Sequence, residues 1–167
     1  MTRAVLFDRD GTVITDKGYL CNQEEIEFLP NVLPVLNKLQ SAGFLLIMVS
    51  NQSGIGRGYF TEKEYFDVQT RLDELLKSYG IVFTGFYYCP HAPDDNCECR
   101  KPKPLMALKA AREFNIDLAE SYMVGDKDSD IEFGRNFGAK ATFRSVQELA
   151  VQLQLNILEY KLKMGSE

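Results

Sequence analysis

Two aspartates, one residue apart, close an apolar run near the start of the chain: Ala4-Val5-Leu6-Phe7-Asp8-Arg9-Asp10-Gly11-Thr12. Residues two apart on a strand face the same side, so both carboxylates are carried to the end of a buried strand and can converge on one small site. One can attack an electrophilic phosphorus and become an aspartyl-phosphate. The other can protonate a departing alkoxide and then activate water. Aspartates also close turns after strands, and the pair alone leaves both readings open. A second acidic group, Gly125-Asp126-Lys127-Asp128-Ser129-Asp130, follows the apolar stretch 121–124. Carboxylate oxygens near Asp8 suit Mg2+, which takes an octahedral oxygen shell. Asp126 is the expected direct ligand, and Asp130, one helical turn later, the supporting one. A helix N-terminus decorated with acids that complement its dipole is the other reading, and both can hold together.

Ser50-Asn51 ends another apolar run and leads into Gln52-Ser53-Gly54-Ile55-Gly56-Arg57-Gly58. A hydroxyl, a side-chain amide and backbone amides there can bind phosphate oxygens, and glycine lets the backbone approach a ligand. The segment lacks the Gly-Lys-Ser/Thr ending of a P-loop and the dinucleotide glycine spacing; a flexible loop is the alternative. Arg100-Lys101 supplies cations that offset Asp8, Asp10, Asp126 and an anionic substrate, which otherwise repel one another. A solvated surface pair is the alternative, although prolines at 102 and 104 point to a rigid segment.

Cys89, His91, Cys97 and Cys99 gather three of the four cysteines and the sole histidine within eleven residues. Three thiolates and an imidazole form a complete tetrahedral set for Zn2+ with no open position. A structural zinc is expected, stiffening the loop that ends in Arg100-Lys101. The alternative is free thiols beside an unrelated histidine. Cys21 receives no role.

The elements that must position these groups alternate. Strands are expected over 4–7, 44–49, 82–88, 121–124 and 140–143. Helices are expected over 31–42, from the capping box at Thr61-Glu64 to Gly80, over 103–115, over 129–137, and from Ser145 to Lys163 with Ile157 and Leu158 on its apolar side. This order predicts an α/β sandwich with a central parallel sheet. Ligands in such sheets sit at the carboxyl ends of the strands, where Asp8/Asp10, Ser50/Asn51, Arg100/Lys101 and Asp126/Asp130 all fall. A chain of 167 residues is read as one domain, 1–167. A net charge of −5, with 24 acidic against 19 basic residues, argues against a nucleic-acid surface. No apolar run approaches the roughly 20 residues of a membrane helix, and the N-terminus lacks a signal-peptide layout. The cytoplasm is the expected location.

In their order, Asp-x-Asp-Gly-Thr, a strand-end Ser, a Lys and Gly-Asp-x-x-x-Asp resemble the haloacid dehalogenase superfamily of phosphohydrolases, across residues 8–130. A closer resemblance is to the heptose bisphosphate phosphatases. It is carried by Gly18-Tyr19, the segment 51–58 with Phe60, residues 87–91, 97–102 and 121–127. Histidinol-phosphate phosphatases are a sister group sharing the zinc loop. The resemblance implies a Rossmann-like three-layer fold with no large cap domain, and Mg-dependent removal of the C7 phosphate of a heptose bisphosphate for surface-polysaccharide precursors. It implies Asp8 as nucleophile, Asp10 as general acid/base, and Mg2+ held by Asp8, Asp126 and the Asp10 carbonyl. Ser50 and Lys101 bind the transferring phosphoryl group, Ser50 standing where the superfamily usually has threonine. Arg100 recognises the substrate, Asn51 and Lys127 line the site, and residues 16–19 (Asp16, Gly18, Tyr19) with 52–58 (Gln52, Ser53, Arg57) touch the sugar. A monomer acting on a small sugar phosphate is expected. Histidinol phosphate, a broad range of sugar phosphates, or a non-catalytic zinc-stabilised interaction module are the alternatives.

Overall fold

The computed structural model describes residues 1–155. Five strands form one wholly parallel sheet: β1 (Ala4–Phe7), β2 (Leu45–Asn51), β3 (Gly85–Cys89), β4 (Tyr122–Val124) and β5 (Ala141–Phe143), in the spatial order β3-β2-β1-β4-β5. Strand β1 pairs on both sides, Phe7 lying opposite Met48 of β2 and Val124 of β4. The chain builds outward from β1 to β3 and then returns to the other side at β4. The crevice at this reversal, beyond the strand ends, is where open α/β sheets bind ligands.

The continuous apolar runs reflect burial on both faces. Val5, Phe7, Leu46, Met48 and Val124 join one core, while Ala4, Leu6, Ile47, Val49 and Met123 join the other. Helices α1 (Val32–Ser41), α3 (Glu62–Ser78) and α6 (Val146–Gln152) cover the first face through Leu36, Leu72 and Leu149. Helices α4 (Leu105–Phe114) and α5 (Asp128–Phe137) cover the second through Met106, Ala110 and Phe133. A short helix, α2 (Ser53–Gly56), follows β2.

The capping box at the start of α3 is present: Thr61 Oγ1 accepts from the Glu64 amide and Glu64 Oε1 from the Thr61 amide, both at 3.1 Å. Of the boundaries that differ from expectation, three stand out. Strand β2 runs on through Ser50 and Asn51, because their backbones still pair with Tyr88 and Cys89 of β3. Residues 82–84 precede β3 instead of belonging to it. Helix α6 ends at Gln152, after which Gln154 takes a left-handed φ of 53° that ends a helical ladder. The expected continuation toward Lys163, with Ile157 and Leu158, lies outside the described residues. Among the described residues no helix is long and apolar enough to cross a membrane.

Candidate active site

Lys101 is the pivot of the site. Its ammonium is 3% exposed and donates to Asp8 Oδ1 at 2.8 Å, Asp130 Oδ1 at 2.6 Å and the Val49 carbonyl at 2.9 Å. All three donor positions of the ammonium are used. The solvated-pair alternative therefore fails for Lys101. Burial alone would lower its pKa, but Asp8 and Asp130 outweigh that and hold it raised. Asn51 fixes the backbone that presents this side chain. Its Oδ1 accepts from the Lys101 amide at 3.0 Å and its Nδ2 donates to the Lys101 carbonyl at 3.2 Å.

Asp8 follows β1 directly, its amide donating to the Val124 carbonyl at 3.0 Å. This bond ties the end of β1 to the end of β4 and brings Asp126 and Asp130 alongside. Gly11, at φ +83°, leaves room that a Cβ would take: such an atom would stand 2.5 Å from Asp126 Oδ2. Asp130 serves both of its readings. Its Oδ2 accepts from the Lys127 amide at the start of α5 at 3.1 Å while Oδ1 faces Lys101.

One carboxylate oxygen from each of Asp8, Asp126 and Asp130 lies within 4.8 Å of the other two. A cluster of hard oxygens at this spacing fits a divalent cation such as Mg2+. Asp126 is the exposed member and is not engaged by Lys101. Burial, then the Asp8 charge, push the Asp126 pKa up. Burial does the same for Asp130 against the pull of Lys101. Both carboxylates are therefore harder to ionise here than in water.

Asp10 sits at the mouth of the site. Burial raises its pKa although Arg9 pulls it down. Ser50 is buried at the end of β2, and Gln52 Nε2 donates to both Ser50 Oγ at 2.6 Å and Asp10 Oδ2 at 3.1 Å. An inner pocket of about 110 Å³ joins Asp8, Asp10 and Lys101, with Asn51, Ser53 and Ser129 on its walls. Arg100 and Lys127 border both this pocket and an outer cleft of about 370 Å³. Asp16, Gly18, Tyr19, Gln52, Ser53 and Arg57 complete the outer cleft. The flexible-loop alternative for 52–58 also fails, since α2 opens that segment and its Gly56 amide donates to the Pro90 carbonyl at 2.8 Å.

The Cys/His loop leaves β3 at Cys89. Donor atoms of Cys89, His91, Cys97 and Cys99 all lie within 4.8 Å of one another. Cys89 Sγ is 2.7 Å from Cys99 Sγ and 3.5 Å from Cys97 Sγ, and His91 Nδ1 is 3.2 Å from Cys99 Sγ. Three sulfurs and one imidazole nitrogen around one point fit Zn2+. The same loop closes on Arg100, whose Nη1 donates to the His91 carbonyl at 3.5 Å. The sequence-derived residues thus divide into a carboxylate–lysine centre, a cationic cleft and a Cys/His loop. Sequence reasoning missed Arg9, Tyr65 and Gln69. A charged residue inside an otherwise buried strand end was the available signal for Arg9.

The family model described as HAD-hydrolase-like matches residues 98–143. The D-glycero-beta-D-manno-heptose-1,7-bisphosphate 7-phosphatase of Helicobacter pylori is 42% identical over 146 residues, 87% of this chain and 84% of that protein. The Yersinia pestis protein of the same name is 42% identical over 151 residues, 85% of this chain and 80% of its own. A crystal structure of the D,D-heptose 1,7-bisphosphate phosphatase of B. bronchiseptica, complexed with magnesium and phosphate, superposes with a TM-score of 0.77 at 32% identity. It covers 83% of this chain and 78% of that one. The parallel sheet with its strand-end carboxylates is that of a HAD-like hydrolase, and the chain belongs to the heptose-1,7-bisphosphate 7-phosphatase family within that class.

Proposed function

We propose that this chain, as a single cytoplasmic domain acting as a monomer, removes the 7-phosphate of D-glycero-D-manno-heptose 1,7-bisphosphate. Its place is in the synthesis of nucleotide-activated heptose for surface polysaccharide. The observation that carries this reading is the joining of a small inner pocket, floored by Asp8 and Lys101, to a wider cleft rimmed by Arg57, Arg100 and Lys127. One place receives the reacting phosphoryl group and the other a second anionic group. No separate cap domain closes the cleft among the described residues.

In the first step an Asp8 carboxylate oxygen attacks phosphorus, and the bond from phosphorus to the sugar oxygen breaks. Asp10 gives its proton to that oxygen. In the second step Asp10 takes a proton from water, the water oxygen attacks the phosphoryl group, and the bond to Asp8 breaks. Lys101 and the Ser50 hydroxyl hold the equatorial oxygens as charge spreads over them. Asp8, Asp126 and the Asp10 carbonyl would hold Mg2+, which would supply the positive charge that lets a phosphate approach these carboxylates. Arg100, Arg57 and Lys127 bind the remaining phosphate. Asp16, Gly18, Tyr19, Asn51, Gln52 and Ser53 contact the sugar. Cys89, His91, Cys97 and Cys99 would hold Zn2+, which would stiffen the loop that presents Arg100 and Lys101.

Phosphate release from both anomers of the heptose bisphosphate, histidinol phosphate and a sugar-phosphate panel tests this reading, with and without Mg2+. Mg-dependent turnover is expected to be highest on the heptose bisphosphate and to leave the 1-phosphate in place. Preference for histidinol phosphate, or no hydrolysis of any ester, would overturn it.

A further inference from the structure

Arg9 lies between the two aspartates and is 1% exposed. A guanidinium in a protein interior is costly unless its charge and its donors are met. Among the described residues its one ion pair is with Asp10. Nε donates to Asp10 Oδ2 at 3.0 Å and Nη2 to Oδ1 at 3.3 Å. This two-pronged contact fixes the plane of the carboxylate as well as its position.

The far side of the guanidinium is anchored to β2 and α3. Nη2 donates to Gln52 Oε1 at 3.3 Å and Nη1 to Gln69 Oε1 at 3.4 Å, with the Tyr65 ring centroid 5.7 Å away. Arginine has only donors. The Gln52 amide must therefore turn its oxygen toward Arg9 and its NH2 toward Asp10 and Ser50. Ser50 Oγ accepts from that NH2.

We infer that Arg9 is a positioning residue, holding the Asp10 carboxyl in the orientation from which it protonates the leaving oxygen. The inference rests on the phosphatase reading above. As the Asp8–phosphorus bond forms and the phosphorus–ester bond breaks, the electron pair goes to the ester oxygen, which takes the Asp10 proton. Arg9 exchanges neither proton nor electrons.

A packing role and a positioning role separate by leaving group. The constant kcat/KM reports steps only through the first irreversible one, transfer to Asp8. A sugar alkoxide needs a proton in that step, whereas the nitrophenolate of p-nitrophenyl phosphate does not. Arg9→Met is expected to lower kcat/KM for heptose bisphosphate by at least about 100-fold, and for p-nitrophenyl phosphate by less than about 10-fold. Arg9→Lys, which keeps a cation but not the fork, is expected between wild type and Arg9→Met, with the same preferential loss on the sugar ester. Gln69→Leu leaves the Asp10 fork in place but removes one anchor of the guanidinium, and is expected to cause a smaller loss than Arg9→Met, again greater on the sugar ester.

Circular dichroism and melting confirm folding of each variant. If Arg9→Met does not fold, Arg9→Lys decides alone. Equal losses on both esters in a folded Arg9 variant would overturn the inference while leaving the phosphatase reading intact. Wild-type protein that hydrolyses neither ester with Mg2+ would overturn both.

Discussion

The carboxylate–lysine centre and the Cys/His loop lie side by side but are assembled in opposite ways. The centre draws Asp8, Ser50, Lys101 and Asp130 from distant parts of the chain, and Lys101 meets Asp8 across 93 residues of sequence. Its two buried carboxylates and its ammonium satisfy one another. The loop takes all four of its donors from residues 89–99, and their clustering makes sense chiefly if a cation joins them. The centre is therefore preorganised by the sheet, whereas the loop's four donors are gathered locally in an arrangement that fits a cation. Gly56 packs α2, whose Ser53 and Gly54 line the outer cleft, against the loop, since a Cβ there would stand 2.7 Å from the Ala92 amide nitrogen.

The most severe way to break this contrast is Lys101→Met. Two buried carboxylates would lose their common partner, at a cost of about 3–5 kcal/mol in stability. Turnover should fall by about 10²–10³-fold or more with the phosphoryl-binding cation gone. Chemical denaturation and steady-state kinetics read the two effects, and wild-type stability in the variant would show that the ammonium is not essential to the centre.

Disruption of the Cys/His cluster comes next. Cys97→Ser touches no residue of the carboxylate centre and should lower the melting temperature by roughly 10 °C. Proteolysis should then begin within 89–101. Metal analysis of purified wild-type protein should find one zinc per chain. An unchanged melting temperature would leave the loop organised by the chain alone.

The sign of the pH dependence sharpens the comparison further. Burial raises Asp126 and Asp130 above 3.8. A raised carboxylate contributes stability that is full below its unfolded pKa and is lost as pH rises through its folded one. Protein without Mg2+ should therefore gain stability as pH falls from neutral toward those raised values. Saturating Mg2+ should reduce that gain by stabilising the ionised carboxylates. Asp126→Asn should raise the melting temperature at neutral pH without Mg2+, abolish the response to Mg2+, and leave little turnover. Lys101, raised above 10.5, stays charged throughout this window.

The smallest effect is expected at the junction. Gly56→Ala forces α2 and the Cys/His loop apart by a few tenths of an ångström or more. About 1–2 kcal/mol of stability should be lost, with a several-fold rise in KM and little change in kcat. A KM that stays constant would mean that the two regions act independently.

What was legible in the sequence follows the same division. The Cys/His cluster and the pair Asp8/Asp10 are local patterns, so spacing alone brought them out. The sheet was legible because strands buried on both faces read as unbroken apolar runs. Lys101 was legible as a cation but not as a buried one, because its burial comes from Asp130 and Val49 in other elements. Arg9 was hidden for the same reason: its partners Gln52 and Gln69 lie 43 and 60 residues away. The end of α6 was missed because a left-handed Gln154 stops a helix whose apolar spacing continues.

The most direct measurement is acid quenching of the wild-type protein during turnover of heptose bisphosphate with Mg2+, followed by mass analysis of its peptides. One phosphoryl group is expected on the peptide that carries Asp8, lost once the substrate is exhausted and absent from Asp8→Asn. A phosphoryl group on a different residue, or near-normal turnover by Asp8→Asn, would contradict the role given to this carboxylate.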